Sequence, residues 1–458
     1  MKQKIAISQI YLILVILGFA LFGLAGCGGG GGSQEATAPS TTSSVNSGTP
    51  SSTPSSNTPT STAPSTSSVM TGTNVANITI DAGPAAVTPP NTIPTVANLM
   101  YATVTICVPG TQNCASVDHV LVDTGSTGLR IFASALPSNF TLPQRVDTNK
   151  NPLAECIQFV DGYSWGPLQT ADLKIGGETA NSLPIQMIGS SNLSTVPSAC
   201  ANTGTARNTV QSFSANGILG IGNGAQDCGA GCVATNVNGT AQNNLYYSCP
   251  TPQTCTTTTV PLNGQVQNPI TLFAVDNNGS SIVLPTIPNT GALSVNGYLV
   301  FGIGTQNNNG LGRAVALQVD SPAFELTTQY GGASYTESYI DSGTNFYAVP
   351  NPNNTITTCT NSSSFFCPAS TLNLSATLVG RNALSSFASF SIANAAMLFN
   401  QNAYNTAFNN LGGPSGASTS RTTNTFAWGA PFFFGKTVYT AIEGKVTPSS
   451  TMPPYVAF

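Results

Sequence analysis

Short apolar stretches separated by turn-forming residues run through most of the chain. Stretches such as ATVTICVPG (102–110), ADLKIGG (171–177) and GYLVFGIG (297–304) alternate apolar with polar positions and end in Gly or Pro. A two-residue period of this kind is typical of half-buried β-strands joined by tight turns. Helical periodicity is weak, and its best candidate is a short helix within 394–412. The pattern predicts an all-β fold.

The N-terminus departs from this pattern. A long apolar run follows Lys2 and Lys4 and ends in LAGC, residues 24–27. We predict a signal peptide over 1–26 that resembles those of bacterial lipoproteins, with Cys27 as the lipidated new N-terminus. The competing interpretation is an uncleaved membrane helix, because the run is nearly long enough to span a bilayer. A membrane helix, however, would not need a cysteine at position 27.

Residues 27–75 contain mostly Gly, Ser, Thr, Pro and Ala, with Glu35 as the single charge. Such a segment cannot bury enough apolar surface to offset the entropy of ordering, so we predict a disordered tether. A lipid anchor followed by a tether predicts a protein of the bacterial cell envelope. Gly28, after the lipidated cysteine, favours the outer membrane if the source is Gram-negative.

Composition limits the partners and cofactors that the rest of the chain can use. Charged residues make up 6% of the sequence, the formal net charge is −4, and no basic patch is present, which argues against nucleic acid. His119 is the only histidine, and we expect neither a metal nor a cofactor. The region 76–458 is long enough for two lobes, assigned to 76–276 and 277–458, and we expect a monomer.

Ten cysteines besides Cys27 fall in neighbouring positions along the chain. They are Cys107 and Cys114, Cys156 and Cys200, Cys228 and Cys232, Cys249 and Cys255, and Cys359 and Cys367. An even number in an exported protein predicts disulfides, although spacing alone leaves the connectivity open. Pairing neighbours gives five bridges. A metal site at Cys228 and Cys232 is the alternative, but no second close pair is placed like a zinc motif.

Two segments of the chain have the same sequence pattern. Residues 119–131 read HVLVDTGSTGLRI, and residues 338–350 read SYIDSGTNFYAVP. Each has an apolar run, then Asp-[Thr/Ser]-Gly-[Ser/Thr], then a return to apolar residues. A Gly-containing turn can hold a carboxylate at the tip of a strand, because Gly accepts conformations that other residues resist. The repetition suggests an internal duplication that brings Asp123 and Asp341 together.

With these two turns, the chain resembles the pepsin-like aspartic peptidases, whose two lobes each supply one such Asp. Over about 97–458 the family's elements recur in order: a first strand pair, a flap hairpin within 156–177, ANGILGIGNG (215–224) and FAWGAPFFFGKTVYTAI (426–442). The resemblance implies an all-β, two-lobed fold with a cleft between the lobes. It also implies that Ile218-Leu219-Gly220 and Ala427-Trp428-Gly429 pass beneath the two turns.

The same resemblance implies an aspartic endopeptidase that hydrolyses peptide or protein substrates with a water activated between Asp123 and Asp341. One carboxylate keeps a proton and the other is ionised, because two carboxylates a few ångströms apart do not both ionise easily. The supporting residues come from the turns themselves. By resemblance, Thr124 and Ser342 bond across the lobe interface, Ser126 and Thr344 orient the carboxylates, and Gly125 and Gly343 complete the turns.

The flap departs from the family pattern. Phe159 takes the position usually held by tyrosine, Tyr163 and Trp165 stand further along the hairpin, and Arg130 replaces a common tryptophan. Arg130 either lies over the Phe159 ring in a cation–π contact or is a solvated surface side chain. Two other functions therefore stay open: a non-catalytic envelope lipoprotein that binds a peptide or glycan in the cleft, and a structural adhesin.

Overall fold

The computed structural model describes residues 70–235, 244–415 and 425–458. The predicted signal peptide, Cys27 and the tether up to residue 69 lie outside these ranges, and lipidation and envelope location stay predictions. The first strand begins at Val75, and the side chain of Asn74 before it is buried and donates to the Phe301 carbonyl. Asn74 and Val75, which were assigned to the tether, thus belong to the folded region. In the described part, no helix is long and apolar enough to cross a membrane.

Strands dominate these ranges. The strands of the first part are β1 Val75–Ile80, β2 Met100–Cys107, β3 Cys114–Asp123, β4 Thr127–Phe132, β5 Leu153–Phe159, β6 Gly162–Ile175, β7 Glu178–Ile188, β8 Gly217–Ile221, β9 Tyr246–Thr251, β10 Thr254–Thr257 and β11 Gly279–Val283. Those that follow are β12 Val295–Phe301, β13 Ala316–Gln318, β14 Leu326–Tyr330, β15 Ala333–Ile340, β16 Tyr347–Val349, β17 Thr358–Cys359, β18 Ser362–Phe366, β19 Leu372–Val379, β20 Ser385–Ile392, β21 Gly412–Pro414, β22 Ala427–Trp428, β23 Thr437–Ala441 and β24 Tyr455–Ala457. The α-helices are α1 Ser198–Ala201, α2 Val210–Phe213 and α3 Ala395–Gln401. The all-β prediction is confirmed.

Most strands belong to one large sheet that closes partly on itself. Its order is β10-β9-β5-β6-β7-β4-β8-β3-β2-β1-β12-β11-β23-β24-β13, and β6 also pairs with β2. The strands β2, β3, β8, β4, β7 and β6 therefore form a closed ring that carries the Asp123 turn. A second sheet, β20-β19-β14-β15-β22-β16-β21, carries the Asp341 turn, and β17 and β18 form a separate hairpin.

The predicted helix within 394–412 is shorter than the pattern indicated. Helix α3 begins after Asn394, whose side chain accepts a hydrogen bond from Met397 N, and ends at Gln401. Asn402 leaves the helical conformation at φ −132° and ψ 53°. The polar run that follows forms loop contacts, for example from Asn405 Nδ2 to the Thr290 carbonyl. At the helix end, Asn402 Nδ2 donates to the Leu398 carbonyl at 3.3 Å, and Asn favours such local contacts over a helix interior.

All five neighbouring cysteine pairs form disulfides, which confirms that prediction. The bridge between Cys228 and Cys232 uses both sulfurs that the zinc alternative required. Four bridges close loops whose ends are four to eight residues apart, while Cys156–Cys200 spans 44 residues and ties β5 to helix α1.

Candidate active site

The Asp123 turn is held between three strands of the ring. Strand β3 ends at Asp123, and β8 runs parallel to β3 and antiparallel to β4, so that Gly220 lies opposite both Asp123 and Gly128. A Cβ at Gly220 would lie 2.7 Å from Ser126 Oγ and 2.8 Å from the Thr127 backbone. Only glycine lets β8 pass this close to the turn.

The Asp341 turn repeats this arrangement in the second sheet. Strand β15 ends at Ile340, and β22 runs parallel to β15 and antiparallel to β16, with Trp428 opposite Ile340. At Gly429, a Cβ would lie 2.2 Å from the Phe346 carbonyl oxygen. The structure thus places both apolar-apolar-Gly elements against their Asp turns.

Reciprocal hydrogen bonds join the two turns. Thr124 N donates to Ser342 Oγ at 3.0 Å, and Ser342 N donates to Thr124 Oγ1 at 3.0 Å. Each hydroxyl then donates to a carbonyl of the opposite strand: Ser342 Oγ to Val122 O at 2.8 Å, and Thr124 Oγ1 to Ile340 O at 3.4 Å. All four groups are buried, so these four hydrogen bonds, called the joint below, fix the turns relative to each other.

The joint brings the two carboxylates together over Gly343. A Cβ at Gly343 would lie 2.5 Å from Asp123 Oδ1 and 3.2 Å from Asp341 Oδ1, which explains why the turn requires glycine here. Asp123 Oδ1 accepts from Gly125 N at 2.8 Å, and Asp341 Oδ1 accepts from Gly343 N at 2.8 Å. The two carboxylates are therefore held by equivalent backbone donors.

The electrostatic surroundings of the two carboxylates differ. Burial raises the pKa of Asp123 well above its usual range, and the neighbouring Asp341 carboxylate raises it further, against the opposing effects of Ser126 and Gly125. Asp341 Oδ2 accepts a second hydrogen bond, from Thr344 Oγ1 at 2.8 Å. For Asp123, the effects of burial and of Asp341 outweigh those of Ser126 and Gly125. Asp123 is thus the better proton carrier of the pair.

Both carboxylates are shielded from solvent. Asp123 and Asp341 each have 0% relative exposure. A cavity of about 420 Å³ lies instead on the outer face of β1, β2 and β3, and its lining includes neither carboxylate. Solvent therefore reaches neither carboxylate in this conformation.

Comparison with known proteins assigns the chain to a family. Residues 70–458 match the family described as "Protein of unknown function (DUF3443)". The chain belongs to the DUF3443 family. No curated protein matches it. The aspartic proteinase from Irpex lacteus is similar in structure, with a TM-score of 0.43 and 15% sequence identity over 84% of this chain and 96% of that one. Membership of the pepsin-like family therefore stays a prediction.

In this DUF3443 protein, Arg130 neither lies over the Phe159 ring nor extends into solvent. It is fully buried, which excludes a solvated side chain, and its partners are polar groups, not the Phe159 ring. Its Nε and Nη2 donate to the two Glu155 carboxylate oxygens at 3.2 and 2.7 Å. Nη2 also contacts Asp227 at 2.8 Å, and Nη1 donates to the Thr127 carbonyl at 2.8 Å. A buried guanidinium needs such partners because its desolvation is costly.

The predicted flap residues are packed in the interior. Phe159, Tyr163 and Trp165 are 7%, 6% and 2% exposed. The ring of Phe159 packs edge-on against Phe213, while Trp165 packs against Tyr247 and donates from Nε1 to the Leu193 carbonyl. These contacts are with core groups, and none of them joins the hairpin to the carboxylate pair.

Sequence reasoning missed the acidic partners of Arg130. Glu155 lies on β5, Asp227 follows β8, and Tyr246 on β9 donates from its hydroxyl to Asp227 Oδ1 at 2.6 Å. Tyr246 Oη in turn accepts from Val266 N at 2.8 Å. In the sequence, Arg130, Glu155 and Asp227 each stand out as a charge among apolar residues. Their spacing, however, does not predict that they contact one another. No group of three or more His, Cys, Asp or Glu in the described ranges could hold a metal ion.

Proposed function

We propose that this protein is an aspartic endopeptidase in which Asp123 and Asp341 hydrolyse a peptide bond together. The observation that carries the proposal is the buried pair itself: two carboxylates at equivalent turns, locked by reciprocal hydrogen bonds and placed over one glycine. A shared proton gives such a pair one acid and one base at the same pH.

The asymmetry of the pair supports an assignment of roles. Asp123, whose pKa is raised by burial and by its neighbour, holds the proton and donates it to the carbonyl oxygen of the scissile bond. Asp341, which accepts from Gly343 N and Thr344 Oγ1, is the ionised base that removes a proton from the attacking water. Water adds to the carbonyl carbon to give a tetrahedral diol. The C–N bond then breaks, the leaving amine takes up the proton that Asp341 removed from the water, and a diol hydroxyl returns its proton to Asp123 as the carboxylic acid product forms.

In this proposal, a peptide substrate must reach the buried carboxylates before hydrolysis can begin. Since both carboxylates are fully buried, an opening motion precedes binding of the substrate. Closure over a bound peptide then excludes bulk water and strengthens the electrostatic interactions of the pair.

Peptide hydrolysis by the full-length protein tests the proposal. A peptide library is incubated from pH 3 to pH 8 with the wild type, Asp123→Asn, Asp341→Asn and the control Asp320→Asn, an acidic residue paired with Arg381 away from the turns. We expect cleavage by the wild type and the control, and a loss of about a hundredfold or more in both turn variants.

Two results would overturn the proposal. One is cleavage by Asp123→Asn or Asp341→Asn at the wild-type rate; the other is a folded wild type that cleaves nothing at any pH. Circular dichroism checks the fold of each variant. The second result would favour a purely structural or binding role for the pair.

A further inference from the structure

A strained histidine lies on the strand that leads to Asp123. His119 has a φ of +47°, a conformation that costs energy for a residue other than glycine and needs support from its surroundings. The register between β2 and β3 slips between Ala102 and Val104, because Asp118 and His119 together stand opposite a single residue. This β-bulge re-aims the histidine side chain, as bulges near functional sites commonly do.

The bulge places the imidazole between two carboxylates. His119 Nε2 lies 3.3 Å from Asp81 Oδ1, and Nδ1 lies 2.9 Å from Asp118 Oδ2. A neutral imidazole has only one N–H, so donation to both carboxylates requires the protonated ring. The geometry thus holds an imidazolium, and the hydrogen bond to Asp81 raises the pKa of His119 against the effect of burial.

The other groups around the ring come from β2 and from the loop before β8. The Tyr101 ring of β2 packs edge-on at 5.2 Å, and its hydroxyl donates to the Ser214 carbonyl. Asn216 donates from its backbone to the His119 carbonyl and from Nδ2 to Asp118 Oδ1. The charged groups that act on His119 are the carboxylates of Asp81 and Asp118.

Asp81 is the first residue of a segment that ends beside the second turn. In this segment, residues 81–99, the side chain of Asn98 donates to the Asn345 and Phe408 carbonyls and accepts from Phe408 N. Asn345 directly follows Thr344 of the Asp341 turn. One end of the segment is thus attached to the Asp123 strand and the other to the chain that leaves Asp341.

We propose that His119 is a proton-operated clasp that fixes residues 81–99 and so links the Asp123 strand to the Asp341 turn. Protonated, His119 binds both carboxylates. Deprotonated, it has one N–H, which stays with the closer carboxylate of Asp118 at 2.9 Å; the contact with Asp81 at 3.3 Å is lost, and the segment loosens. The clasp is closed at acidic pH, where the carboxylate pair also holds its shared proton. Its effect on hydrolysis rests on the proposed function, whereas the clasp itself does not.

Hydrogen exchange of the full-length protein tests the clasp without a substrate. The single histidine gives one imidazole signal by NMR, which yields its midpoint. We expect the protection factors of residues 81–99 to fall about tenfold across that midpoint, which corresponds to about 1.4 kcal/mol. His119→Asn, a residue that tolerates positive φ, should show low protection at every pH. Asp118→Asn, which keeps Asp81, should retain the step at a lower midpoint.

Equal pH dependence of residues 81–99 in the wild type and in His119→Asn would overturn the clasp. An exchange step in a protein that cleaves no peptide would preserve the clasp and refute the proposed function alone. In a protein that cleaves, a pH–rate profile unchanged by His119→Asn would overturn the link between the clasp and the site.

Discussion

The turns that carry Asp123 and Asp341 share one hydrogen-bond scheme but rest on different interiors. The strand after Asp123 places Arg130 in a buried cluster with acidic and hydroxyl groups. Beside Asp341, Trp428 stacks on Phe426 with ring centroids 4.6 Å apart, within a group of aromatic rings. What the two halves share is therefore the backbone frame of the turn and not the packing that supports it.

The difference separates two ways to stabilise the same frame. A charged interior depends on every partner being present, since an unpaired buried charge is costly. An aromatic interior depends on area and shape, and loses stability gradually as groups are removed. The stability of the first half should therefore depend strongly on pH and on the loss of single charges. The stability of the second half should not.

The largest effect on stability is expected from Arg130→Met. Removal of the guanidinium leaves Glu155 and Asp227 buried without their cation, which should lower the free energy of unfolding by about 3–5 kcal/mol. Denaturant unfolding at neutral pH measures the loss. The control is Arg381→Met, which breaks a partly exposed pair with Asp320 and should cost less than about 1 kcal/mol. Similar losses in both variants would contradict the charged-interior interpretation.

On the aromatic side, Trp428→Phe should cost less. Trp428 Nε1 donates to Thr328 Oγ1 at 3.0 Å, and the substitution leaves that buried hydroxyl without its donor at a cost of about 1–3 kcal/mol. Thr328→Val removes the other partner. The double variant should be more stable than the two single losses predict, because it leaves neither group unpaired. Additive losses would show that the hydrogen bond contributes little.

Stability should fall as the pH rises from acidic to slightly alkaline. Burial raises the pKa of Asp227 and of Asp123 well above the usual range, and burial with the Asp276 carboxylate raises the pKa of Glu178 to about 7. The folded state then binds protons that the unfolded chain has released. This stabilisation is complete below the unfolded carboxyl pKa of about 4 and is lost as the pH passes each folded value.

Unfolding free energies at pH 5 and pH 8 test this sign. We expect a higher value at pH 5 in the wild type and a smaller difference in Glu178→Gln, while the control Asp320→Asn keeps the wild-type difference. A protein more stable at pH 8 would show that other groups control the pH dependence.

The smallest effects concern the hydroxyls beside the pair. Ser126 lowers the pKa of Asp123, so Ser126→Ala should raise the upper apparent pKa of the pair by less than about one unit. Thr344→Val removes the hydrogen bond to Asp341 Oδ2. It should raise the lower apparent pKa of the pair, because that hydrogen bond stabilises the ionised carboxylate. The pH–rate profiles of peptide hydrolysis measure both shifts. Identical shifts in the two variants would contradict the assignment of separate roles.

Much of this arrangement follows from local sequence. The alternation of apolar and polar residues predicted strands, and the close cysteine spacing suggested four of the disulfides, because a strand or a short covalent loop is determined within a few residues. The meeting of Asp123 and Asp341 was predicted instead from the repetition of the turn sequence in the two halves.

Arg130 shows where such reasoning stops. Its position was interpreted by analogy with a flap, yet its partners are 25 and 97 residues away in the chain. A buried charge selects partners by the topology of the whole sheet, and no local period records that choice. The sequence also places Asp118 next to His119, but it gives no sign of Asp81, which only the pairing of β1 with β2 brings close.

The joint between Thr124 and Ser342 also determines when the site exists. Its partners are separated by 218 residues, so the entropy of closing that loop has to be overcome before either hydrogen bond forms. During synthesis, the first Asp turn emerges from the ribosome well before its counterpart and has no second carboxylate with which to share a proton. The pair appears only in a chain that has completed both halves, so the proposed function implies that a nascent chain cannot hydrolyse peptides.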